Sequence, residues 1–122
     1  MLRHAFMAAA ALAFAGSAAA QPQVQTIELR SFSYSPRTIR LAAGKPVILA
    51  FVNRSGDAHD FTAKGFFARA RLVSGMATGG EIELRGGQSR SLTLVPAAGR
   101  YRVHCGHFLH KQFGMSGEIV VQ

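Results

Sequence analysis

Cys105, His110 and Met115 stand at successive five-residue intervals in GRYRVHCGHFLHKQFGMSGEIVV, residues 99–121 of a 122-residue chain. A thiolate, an imidazole and a thioether on one loop between two strand-like runs are the soft and borderline donors that copper takes. The plainer alternative for Cys105 is inert packing. Against it stands the clustering of His104, His107 and His110 within five residues of the thiol.

Alternation sorts these histidines. Tyr101, Val103 and Cys105 share one strand parity and point to the core, whereas His104 has the opposite parity and faces away. His107 lies on the loop and reaches the same metal only through a tight bend. His110 has room to fold back, and Met115, beside Gly114, supplies a weak contact from the far side of the loop. Beyond residue 20 the one other histidine is His59, in Asp57-Ala58-His59-Asp60-Phe61, and the one other methionine is Met76, expected in an exposed loop. Two imidazoles, a thiolate and a distant thioether form the weakly axial, trigonal set of a mononuclear blue-copper electron-transfer site. The expected ligands are therefore His59, Cys105, His110 and Met115. The remaining pair, His104 and His107, reads as ordinary surface and loop histidines, or as a second, weaker metal site.

The elements that must carry these residues are strands. Helical periodicity is nearly absent, and short alternating runs are punctuated by Gly, Pro and Asn. The runs are Val24–Arg30, Phe32–Pro36, Thr38–Leu41, Pro46–Val52, Glu81–Arg85, Ser89–Val95, Arg100–Cys105 and Glu118–Val121. Residues 64–73 fit either a short helix or an irregular strand. The expectation is an all-β fold, a single Greek-key β-sandwich or barrel of about seven or eight strands.

Residues 1–20 have a basic head, an apolar run from Ala5 to Ala15 and an Ala-rich cleavage site, the build of a cleaved signal peptide. The run is too short for a membrane span, which requires about 20 residues. Residues 21–122 then form one domain in the periplasm or outside the cell, with no membrane span after cleavage. Exported cysteines usually pair. This chain has one, so an internal disulfide is impossible, and a metal ligand becomes a serious reading.

The net charge is +8, but the cations are scattered and not massed on one helix. Nucleic acid is not an expected partner; an acidic protein or anionic surface is. Asp57, Asp60, Glu81, Glu83 and Glu118 show no pairing for acid–base catalysis, and no hydrolase or phosphate-binding motif appears. Phe108, Leu109 and Phe113 flank His110 and would plug the end of the sandwich or form an apolar docking patch.

These residues resemble the cupredoxins, the small blue copper proteins. The resemblance spans residues 21–122. It rests on Phe51-Val52-Asn53 leading to His59-Asp60-Phe61, on Gly99-x-Tyr101-x-Val103-x-Cys105, and on Cys105-x4-His110-x4-Met115-x-Gly117, a ligand spacing similar to that of rusticyanin and auracyanin. It implies His59, Cys105 and His110 as equatorial ligands and Met115 as the axial one, holding one Cu(I)/Cu(II) ion. It also implies a non-enzymatic, monomeric electron carrier with a protein redox partner. A copper delivery or sequestration protein using the same cluster is the alternative. Where the family often has asparagine after the first histidine, with its backbone N–H on the cysteine sulfur, this chain has Asp60.

Overall fold

A computed structural model describes residues 9–13, 21–107 and 114–122. Among the described residues ten strands form two five-stranded sheets. The first sheet contains β1 (Gln23–Arg30), β2 (Ser33–Ser35), β4 (Val47–Asn53), β6 (Arg71–Ser74) and β8 (Ser89–Val95), in the order β2-β1-β4-β8-β6. The second contains β3 (Thr38–Leu41), β5 (His59–Thr62), β7 (Glu81–Leu84), β9 (Gly99–His104) and β10 (Ser116–Val121), in the order β3-β10-β9-β5-β7. The all-β sandwich expected from the alternation is the architecture found.

Two strands join those expected. The ambiguous segment resolves into both of its readings, a short helix α1 (Lys64–Arg69) followed by the edge strand β6. β5 escapes a period-2 reading because His59, Asp60 and Thr62 are all polar and Phe61 is its single apolar residue, although all four are buried.

Apolar residues of the strands fill the space between the sheets. β4 buries Val47, Leu49, Phe51 and Asn53 at every second position, and Ile27, Leu29, Leu92 and Leu94 join them from its neighbours. The second sheet answers with Phe61, Ile82, Leu84, Val103 and Ile119. Phe61 is the aromatic hub, with ring centroids 5.0 Å from Phe51, 5.5 Å from Tyr34 and 6.3 Å from Phe67. Offset and edge-on arrangements of this kind suit the ring quadrupoles and add to the burial itself. They also fix β5, the strand that begins at His59.

Two local devices set the ends of the site-bearing strands. The Tyr101 hydroxyl donates back to the Ala97 carbonyl at 2.8 Å and accepts from Arg69, which pins the turn before β9. After β10 begins, Gly117 passes so close to Arg37 that a Cβ there would lie 2.6 Å from the Arg37 carbonyl oxygen. The glycine two residues past Met115 is thus required by strand packing.

Candidate metal centre

The long apolar strand β4 ends in Asn53, and this buried side chain organises the loop that leads to His59. Its amide donates to the carbonyls of Asp57 (2.8 Å) and Leu84 (3.1 Å), while its oxygen accepts from the backbone N–H and hydroxyl of Ser55. The loop is thereby closed on itself and tied to β7. His59 follows at the start of β5, opposite Leu84, and is 1% exposed with its Nε2 inside the protein.

Cys105 follows the last residue of β9 and is fully buried, as is Met115 just before β10. The two are joined through the backbone, the Cys105 N–H donating to the Met115 carbonyl at 3.1 Å. From the other side the Asp60 N–H points at the Cys105 sulfur, 3.5 Å away. Burial pushes the Cys105 thiol above its ordinary range, and the carboxylates of Asp60 and Glu83 add to that. The backbone N–H of Asp60, directed at the sulfur, and that of His107 pull the other way. Asp60 thus sets β5 against the sulfur of Cys105, with His59 preceding it on that strand and Met115 bonded to Cys105 through the backbone. His110, with Phe108, Leu109 and Phe113, lies outside the described residues.

The Asp60 side chain does as much as its backbone. Its carboxylate accepts the Gly106 N–H on both oxygens, at 2.9 and 3.0 Å, and the Thr62 hydroxyl at 2.6 Å. Its own carbonyl accepts the Tyr34 hydroxyl at 2.6 Å. Burial raises the Tyr34 pKa strongly, with Cys105 and Asp60 adding to it, so this phenol remains a donor. Gly106 fits because a Cβ there would already be 3.3 Å from Asp60 Oδ2.

His107 Nε2 lies 2.8 Å from Glu83 Oε1 and 3.7 Å from Asp60 Oδ2. These three are the one group of nitrogen and oxygen donors close enough to share a cation among the described residues, and the set omits His104. His104 sits instead on the outward parity of β9, between Ser116 and Thr62. Met76 is exposed, as its loop suggests. Asp60 and Glu83 are paired in register across β5 and β7. Twenty-three residues separate them in sequence, and only the strand pairing, invisible before β5 was recognised, brings them together.

A family model described as a cupredoxin-like domain matches residues 3–121. The chain belongs to this cupredoxin-like family. Similar solved structures include a dithionite-reduced auracyanin from Roseiflexus castenholzii, 17% identical with a TM-score of 0.61, covering 85% of this chain and 99% of that one. Auracyanin A from Chloroflexus aurantiacus, described as a "blue" copper protein, is 20% identical with a TM-score of 0.57, over 81% and 99% of the two chains. A multicopper oxidase from Campylobacter jejuni, a metallo-oxidase, matches at 15% identity and a TM-score of 0.63, over 86% of this chain but 31% of its own. No curated protein matches the chain. At these identities the neighbours share the cupredoxin fold, and the site has to be argued from this chain's own residues.

Asp60→Ala should strip the Gly106 N–H and Thr62 hydroxyl of their shared acceptor and cost roughly 2–4 kcal/mol of folding stability. Asp60→Asn keeps one oxygen acceptor and should cost less than half as much. Urea unfolding of the metal-free variants measures both; equal losses would mean that the second carboxylate oxygen and the charge matter as much as the whole clamp.

Proposed function

We propose that this cupredoxin is an exported blue copper protein that carries one electron at a time and has no substrate turnover of its own. His59, Cys105 and His110 would hold the ion, with Met115 as the weaker fourth ligand. The observation that carries this reading is the treatment of the Cys105 sulfur. A buried neutral thiol needs no donors, yet the backbone N–H of Asp60 is directed at this one, and that of His107 also favours its charged form. Such donors favour a sulfur that bears negative charge, which burial otherwise opposes. Among the donors gathered here a thiolate becomes favourable once a cation shares the pocket.

The donor set suits copper: one sulfur anion, a buried imidazole and a buried thioether mix hard and soft preferences. The bound ion would supply the one-electron couple. The chain's own residues would keep its surroundings fixed. Asp60 and His107 hold the sulfur, Asn53 holds the approach to His59, and the Cys105–Met115 backbone bond closes the loop. A rigid, apolar enclosure means that little reorganises when the charge changes. It also excludes water from the thiolate.

Residues 1–20 would be removed on export, leaving a monomeric domain of residues 21–122 in the periplasm or beyond. No helix among the described residues is long and apolar enough to cross a membrane. A redox partner of acidic character suits the outward face of β9 and its neighbours. There Arg37, Arg100, Arg102 and His104 line a groove, with Glu118 as the one carboxylate. Opposite charge of this kind steers association. In a delivery protein His104 and His107 would assist capture, but the donor group formed by the described residues takes in His107 without His104.

Cu(II) added to the metal-free protein should give an intense visible thiolate-to-copper band that bleaches on reduction. Cys105→Ser should abolish the band, and His59→Ala or His110→Ala should weaken or shift it. A colourless protein that retains Cu(I) alone would point to delivery. Electron exchange with an acidic partner protein should slow as ionic strength rises from 10 to 200 mM (on the order of tenfold); a salt-independent rate would rule out the basic groove as the docking face.

A further inference from the structure

We infer that Asp60, Glu83 and His107 form a second cation site, for a divalent first-row transition ion such as Zn(II), next to the proposed copper centre and separate from it. The three donors come from three places in the fold. Asp60 lies on β5, Glu83 on β7 and His107 on the loop after β9, and their ligand atoms all fall within 4.8 Å of one another.

The strand register makes the charge problem explicit. Asp60 and Glu83 are direct cross-strand partners, and like charges in that position repel. The repulsion is not relieved by solvent on the Asp60 side, because its side chain is only 4% exposed. A carboxylate oxygen accepts about two hydrogen bonds. Oδ1 takes Thr62 and its share of Gly106, whereas Oδ2 takes only the longer Gly106 contact and turns towards His107 Nε2. The imidazole nitrogen faces both carboxylates, at 2.8 and 3.7 Å, but one N–H proton serves only one of them well. A divalent ion in place of that proton meets all three donors at once.

Chemistry selects the class of ion. One imidazole nitrogen with two carboxylates suits zinc and its neighbours, while magnesium and calcium prefer all-oxygen sites. Glu83 and His107 are partly exposed, at 49% and 31% of their side chains, so the site opens to solvent and water can complete the coordination. Three protein ligands are enough for such an open site. Asp60 also contacts the Cys105 sulfur through its N–H, so an ion here is attached to the same peptide that steadies the thiolate.

Calorimetric titration of Zn(II) into the copper-loaded protein tests this. One further equivalent should bind, and Glu83→Gln and His107→Ala should each weaken it at least tenfold. His104→Ala, beside Thr62 on the same outward face but outside the donor group, should leave it unchanged. Circular dichroism of each variant checks that it is folded. No uptake of Zn(II), equal uptake by Glu83→Gln, or an equal loss in His104→Ala would overturn the inference. The same titration of Cys105→Ser, where the proposed copper ligand set has lost its thiolate, keeps the two readings apart. The extra equivalent should survive there whether or not the copper assignment stands.

Discussion

The peptide N–H of Asp60 points at the sulfur of Cys105 while its carboxylate holds the N–H of the next residue, Gly106. One residue on β5 thus fixes both the atom that would bind a metal and the backbone that leaves it. β5 and β9 meet through a single register pair, Thr62 with His104, so this junction is secured more by the Asp60 contacts than by a ladder. Behind it Phe61 anchors β5 in the aromatic core, and Tyr34 bonds the Asp60 carbonyl. The packing of the sandwich and the order of the site are therefore coupled through two adjacent side chains, one apolar and one charged. His59 precedes them on the same strand and inherits its position from both.

Much of this was legible in the residues themselves. Cys105 declared itself by being the one cysteine of the chain, set among histidines. The inward parity of Tyr101, Val103 and Cys105 follows from simple alternation, and all three are buried. The β-sandwich followed from the same periodicity and the spacing of turn residues. What stayed hidden was β5. Its outward side, Asp60 and Thr62, is covered by Gly106 and by the hydrogen bonds between them, so the strand carries no exposed face to mark its period. Without β5 there is no register, and without register Asp60 and Glu83 are merely two acids among six.

The carboxylate at position 60 has consequences in two directions. Towards Cys105 the negative charge opposes formation of a thiolate, and the backbone donors compensate for it. Towards solvent the same charge, joined by Glu83 and His107, creates a place where positive charge is welcome. A basic protein with two of its six acidic groups beside the thiol has a local field there unlike that of its surface as a whole. The outward groove of β9 and β10 is cationic, whereas Asp60 and Glu83, on the neighbouring β5 and β7 of the same sheet, form an anionic edge.

The central claim is that the buried sulfur of Cys105 binds copper directly. X-ray absorption at the copper edge of the loaded protein tests it without reference to colour, partner or rate. The account predicts one short copper–sulfur bond with nitrogen scatterers beside it, and loss of that sulfur in Cys105→Ser. Copper surrounded only by nitrogen and oxygen in the unaltered protein would contradict it.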